Sequence, residues 1–202
     1  MSGSYSVPAR TVETATEIKK SRFIARATRV TTRDEAMDFL EQARRDYPDA
    51  RHHCWAYLLG DPASAASAAM NDDGEPAGTA GKPIMNVIQH KAIGDVMVVV
   101  IRYFGGVKLG AGGLVRAYSG ATESALSTLP VEQRVPMVQV HLSLDFAQEQ
   151  AVRHWAAKHG GEIGTPEYSQ TVSLTITLSV ASLAELESFC AAHGIACTRP
   201  VR

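Results

Sequence analysis

Cysteine is scarce in this 202-residue chain: three are present, Cys54, Cys190 and Cys197, and no two form a CxxC pair. An odd count at those spacings argues against a disulfide-stapled scaffold and against a thiolate metal centre, and it predicts a reducing, cytoplasmic setting. An excess of charge of one sign is also missing, since 20 Lys and Arg face 21 Asp and Glu for a formal net charge of −1. The chain is therefore no bulk polycation, and any nucleic-acid binding requires a local patch. Residues 1–130 carry 15 positive and 14 negative side chains and residues 131–202 carry 5 and 7, so neither half is strongly charged. Long apolar runs are absent too. None approaches the roughly 20 residues of a membrane span, and Met1 to Arg10 has no signal-peptide core. These absences predict a soluble cytoplasmic protein with no membrane partner. With 45% hydrophobic and 20% charged residues the composition is ordinary for a globular protein, and the length suits two modest domains, each with its own core.

What is present is glycine, concentrated in one place. Asp95 to Ile101 (DVMVVVI) reads as a buried strand, too short for a membrane and rich in β-branched residues. Arg102 to Tyr118, RYFGGVKLGAGGLVRAY, follows, with five glycines (Gly105, Gly106, Gly110, Gly112, Gly113) ahead of a helical pattern. Unpaired N–H groups at a helix start attract an anion, and Lys108 and Arg116 add full charges, so phosphate is the natural ligand. The other reading is a tight strand-to-helix connection in which the glycines serve packing alone. Neither a Walker A GK[ST] nor the third glycine of a dinucleotide fingerprint is present.

A second unusual segment lies between the strand-like His52 to Leu59 and Lys82. GDPASAASAAMNDDGEPAGTAG is predicted to be a long irregular loop, a type that in compact domains is commonly functional. Its second half gathers Asp72, Asp73, Glu75, Pro76, Gly78 and Thr79 within eight residues. Three carboxylates so close fit either a hard cation or a basic side chain, or else a solvated acidic turn around Gly74. The spacing matches no EF-hand. His52, His53 and Cys54 adjoin one another, but consecutive strand residues point to opposite faces, so they do not make a metal site. No metal or other cofactor is expected. No catalytic residue is nominated, because Ser119-Gly120 lacks a GxSxG elbow.

The remaining periodicity describes a scaffold. Lys19 to Val30 reads as a strand with Lys20, Arg22 and Arg26 on one face, either a solvated edge or an RNA-contacting strip, and Phe23, Ala25 and Ala27 on the other. Thr32-Arg33-Asp34-Glu35 is a capping box opening a helix that runs until Pro48. Ile84 to Lys91 is a short helix entered through Lys82-Pro83. From Leu114 a small-residue-rich helix continues to Pro130. Pro130 to Pro136 reads as a linker over residues 131–136. Beyond it, strand, helix, weak strand (Glu162 to Tyr168), strand, helix and weak strand (Ile195 to Arg199) give the order βαββαβ, a ferredoxin-like domain over residues 137–202.

DDGEPAGTAGKPI (Asp72 to Ile84) followed by RYFGGVKLGAGGLVRAY closely resembles the IMPACT family, and His53-Cys54-Trp55-Ala56-Tyr57 is similar to the strand preceding its acidic loop. The resemblance covers roughly Lys20 to Leu129. It implies an α+β chain. Residues 1–130 would adopt the left-handed βαβ fold of the second domain of a small-subunit ribosomal protein, and the second domain would resemble elongation factor G domain V. That handedness opposes the usual crossover rule and is not derivable from pattern. The family's eukaryotic role implies control of translation through protein binding. Two functions follow as expectations. One is a translation-associated binding protein contacting RNA, the ribosome or a translation-related protein through Arg102, the glycine loop, Lys108, Arg116 and the basic strand. The other is a phosphate-ester or nucleotide enzyme using Asp72, Asp73 or Glu75, with Thr79 and Lys82 beside them.

Overall fold

A computed structural model describes residues 4–199, and the chain divides into two compact units, Tyr5–Arg134 and a second beginning at Val135. The first unit holds β1 (Tyr5–Pro8), β2 (Val12–Ile18), β3 (Ser21–Arg29), α1 (Arg33–Asp46), β4 (His52–Leu59), β5 (Ser67–Asn71), α2 (Gly81–Lys91), β6 (Val96–Tyr103), α3 (Ala111–Thr128) and β7 (Val131–Arg134). Five strands form an antiparallel sheet in the order β2-β3-β6-β4-β5. The apolar run predicted from the sequence is its central strand, β6, buried on both faces from Val96 to Ile101.

Strand alternation sorts the core into two layers. Phe23, Ala25, Cys54, Ala56, Val98 and Val100 face α2 and α3. Ile24, Tyr57, Met97, Val99 and Ile101 face α1 together with Ala36, Leu40 and Ala43. This division decides the handedness of the chain. The pair β3 and β4, parallel across β6, is joined through α1 on one face; β5 and β6, parallel across β4, are joined through α2 on the opposite face and in the reverse direction along the sheet. Reversing strand direction and lateral step together leaves the hand unchanged, and switching faces inverts it. One of the two crossovers is therefore left-handed, against the general rule.

Helix ends follow their local chemistry. Thr32 caps α1 by accepting from the Glu35 amide at 3.2 Å, while the Glu35 carboxylate reaches past it to the Thr31 amide at 2.6 Å. α2 has no such cap of its own at Ala80. Its acceptor comes from Asp72, outside the helix.

Four expectations are corrected. The irregular loop contains β5, an edge strand paired with β4 from Trp55↔Asn71 to Leu59↔Ser67; its Ala/Ser composition hides it because both faces are largely exposed. The expected linker carries β7, which pairs with β1 from Tyr5↔Arg134 to Pro8↔Val131. Lys20 is not on a strand, since Lys19 and Lys20 form the β2–β3 turn with φ of 48° and 65°. Arg26 is no free strip residue either: Glu13 holds it at 2.8 Å and Asp46 at 2.6 Å.

The short β1–β7 ribbon is tied to the sheet by Asp95. Buried and at φ 47°, Asp95 accepts from the Tyr5 hydroxyl at 2.9 Å and the Gly60 amide at 2.8 Å, and it pairs with Arg134.

The second unit contains β8 (Met137–Leu144), α4 (Glu149–Lys158), β9 (Glu162–Ile163), β10 (Glu167–Tyr168), β11 (Val172–Ser179), α5 (Leu183–His193) and β12 (Ala196–Thr198). The antiparallel order β10-β11-β8-β12, with β9 also on β11, is the ferredoxin-like arrangement. The one weak strand expected at Glu162 to Tyr168 is two short pairings on β11. One sheet face packs Val140, Leu142, Ile176 and Leu178 against Trp155, Leu186 and Cys190.

Candidate functional site

Asp72 organises the acidic loop. Its carboxylate accepts from the amides of Gly78 at 2.8 Å, Ala80 at 3.0 Å and Gly81 at 2.8 Å, and so caps α2 from eight residues upstream. Burial alone would raise its pKa, but the three amides outweigh that and hold it below the ordinary aspartate value. Asp73 is occupied as well: it accepts from the His53 amide at 2.7 Å and meets Arg44 at 3.4 Å. Thr79 donates to the Pro76 carbonyl at 2.6 Å, and Lys82 lies exposed in the first turn of α2. Among the described residues no group of His, Cys, Asp and Glu is arranged to hold a metal.

Glu75 turns inward and joins the two loops. Its Oε1 accepts from Arg102 Nη1 at 2.7 Å and from the Tyr118 hydroxyl at 2.8 Å. Both side chains of the ion pair are nearly inaccessible, Arg102 at 7% and Glu75 at 4%. Cys54 Sγ lies 3.3 Å from the Tyr118 oxygen and 2.9 Å from the Asp72 carbonyl oxygen. Burial pushes both the Cys54 thiol and the Tyr118 phenol well above their ordinary pKa values, so both stay protonated at neutral pH. The network runs from the core to the end of β6.

The glycine loop leaves β6 over the turn at Lys19 and Lys20. Gly105 donates its amide to Ser21 Oγ at 3.2 Å, and a Cβ there would fall 2.0 Å from the Lys20 carbonyl carbon. Only glycine fits that contact. Gly110, at φ 71°, precedes α3 with no side-chain cap, so the first amides of an 18-residue helix face outward. A Cβ on Gly112 would meet nothing closer than Arg116 Nη1 at 3.8 Å, which places the Arg116 guanidinium beside the helix start. Arg116 also lines a cavity with Lys19, Leu109 and Gly113. A neighbouring cavity of about 280 Å³ is bounded by Glu75, Arg102, Phe104, Lys108 and Gly110. Among the described residues Lys19, Lys20, Arg22, Lys108 and Arg116 enter no ion pair, in contrast to Arg26, Arg29 and Arg44.

Sequence reasoning passed over Phe104, Tyr118 as a polar group, and the contact of Arg102 with Phe23, which it places only on the apolar face of its strand. Arg102 Cζ lies 5.6 Å from the ring centroids of both Phe23 and Phe104. Phe23 is fully buried and Phe104 is 55% exposed. Two consecutive aromatics, Tyr103 and Phe104, directly after Arg102 at a strand end were the available signal.

Known proteins match both units. The Impact N-terminal domain matches residues 19–126, and a domain of unknown function (DUF1949) matches residues 142–192. IMPACT family member YigZ of Escherichia coli (strain K12) is 37% identical over 185 residues, covering 92% of this chain and 91% of the relative. IMPACT family member YvyE of Bacillus subtilis (strain 168) is 43% identical over 129 residues, 64% of this chain and 58% of the relative. A crystal structure described as that of a hypothetical protein superposes with a TM-score of 0.72 at 34% identity, covering 100% of both chains. The chain belongs to the IMPACT family.

Proposed function

We propose that this IMPACT family chain is a binding and regulatory protein of the translation apparatus that contacts RNA, free or within the ribosome, through the glycine loop and the start of α3. Membership in a family linked to translation regulation supports the setting. The observation that carries the RNA reading is the cluster of four cations without a carboxylate partner among the described residues, Lys19, Lys20, Lys108 and Arg116, around the uncapped start of α3. Cations left unneutralised beside outward-facing amides suit a row of phosphates. An enzyme reading would need a carboxylate free to act as base or metal ligand, and Asp72, Asp73 and Glu75 are each committed to amides, Arg44, Arg102 or Tyr118.

The test is the salt dependence of RNA binding by the full chain and by a Lys108→Ala, Arg116→Ala double variant. Wild type binds RNA or ribosomal particles at low salt, and the variant loses affinity across sequences, its log K against log salt slope falling by about one per lost contact. Absence of wild-type binding to either at low salt overturns the reading. Metal-dependent turnover of a phosphorylated small molecule, lost on changing Asp72 or Glu75, would put an enzyme in its place.

A further inference from the structure

The cavity between the acidic and glycine loops has one wall that phosphate binding does not use. Phe104 is more than half exposed, yet it is not a loose side chain: Arg102 lies against it at 5.6 Å, and the same guanidinium lies 5.6 Å from buried Phe23. Glu75 holds Arg102 by accepting from its Nη1, and the Tyr118 hydroxyl donates to the same Glu75 oxygen. One guanidinium thus lies within cation–π range of two rings, buried Phe23 and solvent-facing Phe104. Arg102 is itself 6% exposed, and its Nε is buried without a hydrogen-bond partner. Glu75 neutralises that guanidinium, so among the described residues the unpaired cation of the cavity is Lys108.

Lys108 and the amides that open α3 share this cavity with Phe104. An aromatic face, a cation and a helix start around about 280 Å³ match the parts of one nucleotide: a base to stack and a phosphate to neutralise. A base paired in the interior of a duplex has both faces covered by its neighbours, so it cannot use the ring. We infer that the site takes an unpaired nucleotide of single-stranded RNA, its base stacked on Phe104 and its phosphate on the start of α3 with Lys108. This rests on the RNA reading above and adds strandedness to it.

The full chain is titrated at low salt with a fluorescent 12-nucleotide RNA, once single-stranded and once annealed into a blunt duplex, and the titrations are repeated with Phe104→Ala and Phe104→Trp. The single strand is expected to bind at least about tenfold more tightly than the duplex. Phe104→Ala should remove about tenfold of the single-strand affinity, the scale of one lost base stack, and leave duplex affinity and thermal unfolding unchanged. Phe104→Trp should restore single-strand binding, with its indole emission quenched on saturation. Equal affinity for single strand and duplex, or an unchanged ratio in Phe104→Ala, overturns the inference while leaving phosphate binding intact. Binding of neither RNA removes the underlying RNA reading as well. Unchanged RNA binding by Phe104→Ala, with loss of a ribosomal protein contact, would overturn it in favour of a protein surface.

Discussion

Arg102 at the end of the central strand and Glu75 in the acidic loop, 27 positions apart in sequence, meet in a buried ion pair with 2.7 Å between Nη1 and Oε1. This contact fastens the acidic loop to the strand from which the glycine loop springs. Glu75→Ala should cost about 3–5 kcal/mol, because it strands a buried guanidinium and removes the acceptor of Tyr118. Glu75→Leu combined with Arg102→Met should recover most of that loss. Urea unfolding of the two singles and the double checks this; a single variant as stable as wild type would remove the pair from the account of the fold.

Asp72 contributes to the acid limb of stability. Its folded-state pKa is depressed by the three amides, so its stabilisation is complete above the unfolded aspartate value of about 3.9 and disappears as pH falls through the folded value. Unfolding measured from pH 6 downward should show Asp72→Ala about 1–2 kcal/mol less stable at pH 6. The gap should close at the acid end. A gap constant with pH would show that the cap acts only through shape.

Two glycines separate packing from function. Gly105→Ala places a Cβ 2.0 Å from backbone and should lower the unfolding temperature and dislodge the loop. Gly112→Ala meets only the Arg116 guanidinium, at an ordinary contact distance of 3.8 Å, and lies in the first turn of a helix, where alanine is better by up to about 1 kcal/mol. It should keep or raise stability while weakening RNA binding, since the methyl group blocks close approach to the amides. Paired thermal melts and RNA titrations distinguish the two variants.

The boundary between units is predicted to fall after Arg134. A fragment ending at Pro130 lacks β7 and the partner of buried Asp95. It should unfold at least about 2 kcal/mol more readily than one ending at Arg134. Both fragments, expressed alone and unfolded in urea, test this, and equal stability would return residues 131–134 to the linker.

Much of the scaffold was legible because burial imposes period on a chain. The valine run of β6 marked a strand covered on both faces, Thr32 and Glu35 marked the start of α1, and alternating apolar positions from Val138 to Leu144 marked β8. Ser67–Asn71 and Val131–Arg134 carried no such mark, since exposed edge strands are defined by their partners and not by a buried face. The site was legible in part. Glycine density located the loop, and the carboxylates of Asp72, Asp73 and Glu75 looked alike as candidates for a cation. The fold gave them three different tasks: helix cap, β4 clasp and partner of Arg102.

By itself the sequence determined the two apolar sets, the helix that follows the glycines and the two signature segments of the family, because each is written in neighbouring residues. Only the tertiary structure decided which crossover partners lie on which face, that Glu75 reaches Arg102, and that Phe104 lies within cation–π range of a fixed guanidinium. Those outcomes depend on chain reversals that bring distant residues within a few ångströms, and a local pattern of residues holds no record of such distances.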